Sequence, residues 1–325
     1  MDCFAPYQTA FEQSLKTYNL PSEPKGLYDP IAYILALGGK RLRPCLVLAA
    51  CEACKDSYAE AQQAALAVEL FHNFTLIHDD IMDEAPLRRG KATVHSKWNL
   101  NTGILSGDAM LILAYQQFAY YNPGLQAELM ALFSKTALEV CEGQEYDVAF
   151  EQLAAVSEGA YLKMIQFKTA VLVAAALKMG ALIGSADAES AELFYDFGLA
   201  LGTAFQIQDD YLDAFGDPET FGKQVGGDIL ENKKTYLVIK LQELGSIEQR
   251  KTLDHWFGTN ADTSSEEKVT EVKRLFTESG AAEATRKAVH AYTKESQHIL
   301  SSLEKRGIKT KTLAAFSEAL LLRNL

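Results

Sequence analysis

The stretch between Pro123 and Pro218 contains no proline at all. Alanine, leucine, glutamate and lysine dominate it, and these residues form helices readily, whereas a proline inside a helix removes a hydrogen bond and clashes with the preceding turn. Apolar residues recur at helical spacing throughout the chain, and no convincing run of alternating β-branched residues is bounded by turn residues. The sequence therefore predicts an all-α protein and makes a sheet unexpected.

The long segment at residues 59–85, AEAQQAALAVELFHNFTLIHDDIMDEA, is apolar on most of its helical faces. Such a pattern is typical of a buried central helix rather than a surface helix. We expect breaks between helices near residues 21–30, 84–103, 122–124, 184–188, 214–227 and 258–265. None of these breaks has the length or composition of a flexible interdomain linker. We therefore predict a single domain over residues 1–325, built as a helical bundle.

Net charge narrows the classes of function. The chain carries a formal net charge of −12, which argues against a nucleic-acid partner, because such a partner requires a basic face. An anionic small molecule stays possible, since local cations or a metal ion can reverse the field at a site.

The cysteines and the apolar segments indicate a compartment. Five cysteines, an odd number, favour reduced thiols over a disulfide framework. The N-terminal residues lack a basic segment followed by an apolar one, so no signal peptide is evident. The most apolar stretch, residues 169–184, is interrupted by Lys178 and is too short to span a bilayer. We expect a cytoplasmic protein with no integral membrane segment.

Two similar acidic motifs end two of the apolar helices. DDIMD occupies residues 79–83 and DDYLD occupies residues 209–213. Aspartates four residues apart lie one turn apart on the same side of a helix, and carboxylates so placed suit a hard cation such as Mg²⁺. A solvated acidic helix end explains one such motif equally well, but two copies disfavour that alternative. A calcium loop is excluded, because no glycine-containing loop alternates oxygen ligands. The two helices are expected to present their ends to a shared cavity.

Cations accompany these acidic motifs. The stretch GGKRLRP at residues 38–44 places Lys40, Arg41 and Arg43 between a glycine pair and a helix start, which is a pattern suited to binding an anion. Arg88 and Arg89 follow the first acidic motif. Lys168 lies in a strongly apolar helix, where an unpaired ammonium group is costly, so we expect it to have a partner.

Further polar residues lie near the acidic motifs. Lys223 and Lys233 flank a glycine-containing loop that also carries Asp228. His72 precedes Asp79 by seven residues and so lies on nearly the same helical face, which favours a functional role over that of a core histidine. Gln206 shares the face of the second acidic motif. Together these residues predict a substrate with a diphosphate bound through Mg²⁺, a second anionic group bound by cations, and hydrocarbon tails.

Six stretches, in this order, carry a resemblance to a known family: GGKRLRP, HNFTLIHDDIMD with LRRGKATVH, GDAML, QFKTA, FQIQDDYLD and GKQVGGDILENKKT. The chain resembles the trans-isoprenyl diphosphate synthases of the polyprenyl synthetase family over residues 35–240. The resemblance implies an all-α, single-domain bundle of the isoprenoid synthase type with a central active-site cavity. It also implies a homodimer and about three Mg²⁺ ions in each active site.

The resemblance also implies the activity and the residues that carry it. Isopentenyl diphosphate would condense with an allylic diphosphate by ionisation, condensation and proton loss. Mg²⁺ would be bound by Asp79, Asp83 and Asp209, supported by Asp80, Asp210 and Asp213. Isopentenyl diphosphate would be held by Lys40, Arg43, His72 and Arg89. The allylic diphosphate would be gripped by Arg88, Lys168, Lys223 and Lys233, with Thr169 and Gln206 beside the reacting carbons.

Product length is expected to depend on two aromatic residues before the first acidic motif. The family pattern implies that Phe74, with Phe71 one turn earlier, forms the floor of the pocket for the hydrocarbon tail. Thr75 and an uninterrupted motif resemble the geranylgeranyl pattern most, and the farnesyl pattern next. Ordinary core packing is the alternative for both phenylalanines. The alternatives for the whole chain are a longer-chain polyprenyl diphosphate synthase, a class I terpene cyclase and a non-catalytic synthase subunit.

Overall fold

The computed structural model describes residues 2–216, 226–258 and 265–321. Within them the chain is almost entirely helical, which confirms the predicted all-α class. The helices are α1 (Ala5–Thr17), α2 (Lys25–Ala36), α3 (Leu42–Lys55), α4 (Gln62–Met82), α5 (Val94–Lys97), α6 (Leu100–Gln116), α7 (Pro123–Glu151), α8 (Glu158–Ile165), α9 (Val171–Ile183), α10 (Ala188–Phe215), α11 (Gly227–Leu230), α12 (Tyr236–Leu244), α13 (Ile247–Gly258), α14 (Ser265–Glu278), α15 (Ala281–Lys305) and α16 (Lys311–Leu321).

Contacts divide the chain into two compact units, each assembled from three separate stretches of sequence. The first unit comprises Met1–Ser134, Ala175–Phe194 and Arg306–Leu313. The second unit comprises Lys135–Ala174, Tyr195–Lys305 and Ala314–Leu325. Neither unit is a continuous piece of chain. The single domain expected over residues 1–325 stays a prediction.

Helix α4 is the central helix of the first unit, as its apolar sequence predicts. It packs against α3 and α6, and its buried side chains include Leu66, Leu70 and Ile77. Burial of each large apolar side chain stabilises the fold by roughly 1.5–3 kcal/mol. Polar side chains are buried on the same helix as well, and these residues are Glu69, Asn73 and Asp80.

A short hairpin in the first unit contradicts the expectation that the chain has no sheet. Strand β1 (Leu87–Arg88) pairs antiparallel with strand β2 (Lys91–Ala92). The two residues between the strands, Arg89 and Gly90, have φ angles of 52° and 72°. Positive φ at both central residues defines the hairpin turn whose twist matches that of paired strands. Strands of two residues are too short to show alternation, and for this reason the sequence pattern missed them.

The second unit has its core around α12. This helix packs against α8, α14 and α15, and its Leu237 and Leu241 are buried together with Val272 and Phe276. A break at residues 152–157, between α7 and α8, was not predicted, because the segment has neither glycine nor proline. Ser157 ends this break by accepting a hydrogen bond from the Ala160 amide, so it caps the N-terminus of α8.

One π-helical turn, Gln166–Ala170, lies between α8 and α9. Turns of this kind widen a helix by one residue and are frequent at functional sites. The turn falls inside the segment Glu158–Ile183, which by length and composition could cross a membrane; its most apolar window is 61% buried in the fold. Such burial is what the core helix of a globular protein shows.

Candidate active site

The last turn of α4 carries the first acidic motif. Asp79 is half-buried and Asp83 is exposed, and the Asp83 amide donates a hydrogen bond to the Asp79 carbonyl at 2.8 Å. Asp80 is 1% exposed and accepts two hydrogen bonds from Arg88 Nε, at 2.8 and 2.9 Å. A second Arg88 nitrogen lies 2.7 Å from the same carboxylate. Arg88 therefore neutralises Asp80 and leaves Asp79 and Asp83 as the more accessible carboxylates of the motif.

Arg89 reaches back to the glycine pair before α3. Its guanidinium group donates a hydrogen bond to the Gly38 carbonyl. A Cβ atom at Gly39 would lie 2.7 Å from an Arg89 nitrogen, and Gly39 also has a φ of 137°. An L side chain meets both a clash and a strained backbone at this position. The glycine pair therefore allows Arg89 to lie against the loop that carries Lys40.

His72 is a neutral partner of Arg43. Arg43 Nη1 lies 3.3 Å from His72 Nε2. Burial, together with the charges of Arg43 and Arg89, holds the pKa of His72 well below its ordinary value. Arginine can only donate, so Nε2 of His72 must accept, and the imidazole proton lies on Nδ1. The side chain of His72 thus offers a neutral hydrogen-bond donor.

Arg43 retains an unused donor. Its Nε is buried and has no hydrogen-bond partner among the described residues. A buried N–H group without a partner is costly, and an anion bound at this position removes the cost. Lys40 is exposed on the loop that leads to α3. The first unit therefore brings together Lys40, Arg43, His72 and Arg89, the four residues predicted to hold isopentenyl diphosphate.

Arg41 does not join these cations, in contrast to the interpretation of GGKRLRP as one anion-binding run. It is 6% exposed and forms an ion pair with Glu69 inside the protein. Sequence spacing could not predict this ion pair, because Glu69 lies 28 residues further along the chain.

The two phenylalanines before the acidic motif differ in their surroundings. Phe71 is fully buried, with its ring centroid 5.3 Å from that of Phe133. Phe74 is 8% exposed and lies 4.7 Å from the His78 ring and 5.6 Å from the Phe71 ring. Core packing thus accounts for Phe71, and Phe74 is the more accessible of the two. Their role in product length stays a prediction.

The second unit contains a partly open cavity of about 230 Å³. Most of the residues predicted for the allylic diphosphate and for the second acidic motif line it. Three further carboxylates, which sequence reasoning did not assign to the site, line it as well. The predicted residues in its wall are Lys168, Thr169, Gln206, Asp209, Asp210 and Lys233, and the additional ones are Asp147, Glu151 and Asp228.

Lys168 has the partner that its apolar surroundings predict. It lies in the π-helical turn and forms an ion pair with Asp147 of α7, and both side chains are about one third exposed. Helix α7 passes very close to this turn at Gly143, where a Cβ atom would lie 2.7 Å from the Lys168 Cα. Gly143 and Asp147 are one helical turn apart. Their spacing within GQEYD is the signal that could have revealed both.

The remaining carboxylates of the second motif are held by the protein. Tyr161 Oη donates to Asp210 Oδ2 at 2.5 Å, and the Tyr236 amide donates to the same atom at 3.0 Å. Burial and the nearby Asp228 raise the pKa of Asp210 to about 7. Asp213 Oδ2 accepts from the Asp228 amide at 3.0 Å. Asp210 and Asp213 therefore accept hydrogen bonds from protein donors, and half-buried Asp209 lines the cavity.

Lys233 is fixed in its charged form. Burial alone would lower its pKa, but the hydrogen bond to Glu231 and the charge of Asp228 together raise it. Lys268 of α14 donates to Asn232 Oδ1 at 2.6 Å and so holds the same loop. This contact gives a role to one helix after residue 240, where sequence reasoning found no motif. Lys223, also predicted for the allylic diphosphate, lies outside the described residues.

In this all-α chain two helices end in aspartate motifs, and buried or paired cations lie near each motif. This arrangement is typical of an enzyme that binds diphosphates. Comparison with known proteins makes the class specific. Residues 24–276 match the model of the family described as polyprenyl synthetase. The chain belongs to that family, and the predicted activity of a short-chain trans-prenyltransferase is confirmed. Enzymes of the family use Mg²⁺ to ionise a diphosphate.

Three similar proteins illustrate the relationship. The geranylgeranyl diphosphate synthase of Methanosarcina mazei is 40% identical over 294 residues, which cover 90% of this chain and 88% of the relative. The geranylfarnesyl diphosphate synthase of Natronomonas pharaonis is 39% identical over 241 residues, which cover 69% of this chain and 71% of the relative. A solved geranylgeranyl pyrophosphate synthase is 51% identical, with 99% of both chains covered and a TM-score of 0.93.

Proposed function

We propose that this enzyme condenses isopentenyl diphosphate with an allylic diphosphate and releases geranylgeranyl diphosphate. The observation that carries the proposal is that each unit has its own anion-binding set, Arg43 with neutral His72 in the first unit and the cations Lys168 and Lys233 in the second. Two sets suit two anionic substrates. The relatives named as geranylgeranyl synthases support the product, and the geranylfarnesyl synthase makes a product one isoprene unit longer the second candidate.

The aspartates of both motifs fit Mg²⁺. All donors in the motifs are carboxylate oxygens, which hard cations prefer. Among the residues that the structure describes, no group of three or more acidic, histidine or cysteine side chains is placed to hold a metal ion by itself. Mg²⁺ usually completes its shell with waters and substrate phosphates, so one or two carboxylates per ion suffice. We assign Asp79, Asp83 and Asp209 to about three Mg²⁺ ions, with Asp80, Asp210 and Asp213 as supporting groups.

The chemistry follows from where charge develops. Bound Mg²⁺ would neutralise the charge that builds on the departing diphosphate. Lys168 and Lys233, each paired with a carboxylate, would bind the same oxygens, and so would Arg88, which is paired with Asp80. Thr169 and Gln206, in the cavity wall, lie beside the reacting carbons. The double bond of isopentenyl diphosphate attacks the allylic cation, and the released diphosphate accepts the proton that is then lost.

The first unit binds the diphosphate that does not ionise. Arg43 Nε and the Nδ1–H of His72 supply buried donors, and Lys40 and Arg89 supply exposed charge. Because His72 is neutral, it orients the anion without adding to the repulsion among the arginines.

Crossed substrate kinetics test this assignment. Arg43→Ala is expected to raise the KM for isopentenyl diphosphate about 10- to 100-fold, because a charge-assisted hydrogen bond is lost, and to leave the KM for farnesyl diphosphate unchanged. Lys168→Ala is expected to do the reverse. Lys309→Ala, which removes an exposed lysine paired with Asp56, is the control. Equal effects of both variants on both substrates would contradict two separate sites.

We also propose that two copies associate as a cytoplasmic homodimer through α6. This helix exposes several large apolar side chains, among them Leu105 at 60% and Ile112 at 58%, two turns apart on one face. Replacing both with glutamate is expected to convert a dimer into a monomer in sedimentation equilibrium. A wild-type protein that sediments as a monomer would refute the proposal.

A further inference from the structure

A buried ion pair lies next to the residues proposed to hold isopentenyl diphosphate. The side chains of Arg41 and Glu69 are both 4% exposed, and Arg41 Nη1 donates to Glu69 Oε1. The other terminal nitrogen of Arg41 donates to the Leu35 carbonyl in the last turn of α2. Asn73 Nδ2 donates to Glu69 Oε1 at 3.0 Å and to the Glu69 carbonyl at 2.8 Å. The three side chains form one connected network.

Stability does not account for this network. Removing two charges from water is costly, and apolar residues of similar size usually leave a protein as stable or make it more stable. Two polar atoms of the network, Arg41 Nε and Asn73 Oδ1, also have no hydrogen-bond partner among the described residues. A network with these costs calls for a role other than holding the core together.

The network fixes the loop that carries the anion-binding residues. Arg41 caps the start of α3 with a φ of 48°, a backbone conformation that is unfavourable for a side chain as large as arginine. Lys40 directly precedes Arg41, and Arg43 follows it by two residues. The ion pair holds this strained residue to α4 at Glu69, which precedes His72 by one helical turn. The position of Arg43 against His72 thus depends on the contact between Arg41 and Glu69.

The network also balances charge. Four arginines, at positions 41, 43, 88 and 89, act together on His72. Glu69 is the buried carboxylate whose charge attracts Arg43 and Arg89. It offsets the repulsion among these cations while leaving Arg43 Nε unbonded.

We propose that Arg41, Glu69 and Asn73 are positioning residues for the isopentenyl diphosphate site: they hold Arg43 against His72 and do not touch the substrate. This inference rests on the assignment of Arg43 and His72 given under the proposed function.

The decisive variant replaces both charges of the ion pair, Arg41→Met with Glu69→Leu, so that neither member of the pair is left without the other. We expect a melting temperature equal to or above that of the wild type. We expect the KM for isopentenyl diphosphate to rise about tenfold, while kcat and the KM for farnesyl diphosphate stay within about twofold. The matched control is Lys55→Met with Glu60→Leu, which removes the partly exposed pair Lys55–Glu60 and should change neither KM. A wild-type KM in the Arg41–Glu69 variant, or an equal rise for both substrates, overturns the proposal.

A mutant cycle tests whether the pair acts through Arg43. The Arg41–Glu69 replacement made in the Arg43→Ala background is expected to raise the KM for isopentenyl diphosphate by less than about twofold further. Fully additive effects overturn the proposal. Should Arg43→Ala itself leave that KM unchanged, the assignment of the site fails, which is a different result. If the double replacement does not fold, Glu69→Gln serves instead: a rise of about threefold supports the inference, and a wild-type value overturns it.

Discussion

A methyl group added at Gly143 should disable Lys168 without touching its side chain. The Cβ atom of Gly143→Ala would meet the Lys168 backbone nitrogen most closely and would lie 2.6 Å from the Phe167 carbonyl carbon, whereas ordinary contact begins at 3.4 Å. These are backbone atoms of the π-helical turn, so no side-chain rotation can relieve the overlap. The turn has to move by about 1 Å, at an overpacking cost of about 1–3 kcal/mol.

Displacement on this scale is enough to impair catalysis. Lys168 and Thr169 both lie on the displaced turn, and a misplacement of about 1 Å can cost a factor of about 100 in rate. We therefore expect kcat to fall about 100-fold in a condensation assay run well below the melting temperature.

The matched control is Gly159→Ala in α8, where the added Cβ meets no atom within 4 Å. This replacement should stabilise the helix by about 0.5–1 kcal/mol and leave kcat unchanged. Wild-type kcat and stability in Gly143→Ala would refute the close approach of α7 to the turn.

Three further outcomes are expected. Phe74→Ala should shift the product to a longer chain, with Phe118→Leu from the same aromatic cluster as control; an unchanged product length clears Phe74 of a role in the pocket floor. Asp79→Ala should abolish turnover and leave the circular dichroism spectrum and melting temperature unchanged. Full activity in this variant would contradict the assignment of Asp79 as a Mg²⁺ ligand. Because the pKa of His72 is lowered in the native state, below about pH 6.5 His72 binds a proton in the unfolded state and not in the native state. Stability to urea should thus fall below that pH by up to about 1.4 kcal/mol per pH unit, and His72→Gln should lessen the slope; an unchanged slope contradicts the assignment.

The helical class and the motif residues could be predicted because both depend on local spacing. A run without proline favours helix, and aspartates at i and i+4 share one side of it whatever surrounds them. The same logic identified Lys168 as needing a partner, since an ammonium group in an apolar helix is costly. The two-residue strands of the hairpin could not be predicted, because strands this short show no alternation of apolar and polar residues.

Supporting residues could not be predicted, because their partners lie far away in sequence. Tyr161 and Asp210 are 49 residues apart, and Lys168 and Asp147 are 21 apart. Glu69 looks like an ordinary polar residue in its helix until the fold brings Arg41 to it. Gly143 likewise differs from other helical glycines only in the residues that pack against it.

The most direct test of the account is a condensation assay on the purified wild-type enzyme. The protein is incubated with labelled isopentenyl diphosphate and with dimethylallyl, geranyl or farnesyl diphosphate, with and without Mg²⁺, and the dephosphorylated products are sized by chromatography. We expect geranylgeraniol from each primer with Mg²⁺ and no product once the metal is chelated. Undiminished condensation without a divalent metal, or no condensation product with any primer, would contradict it.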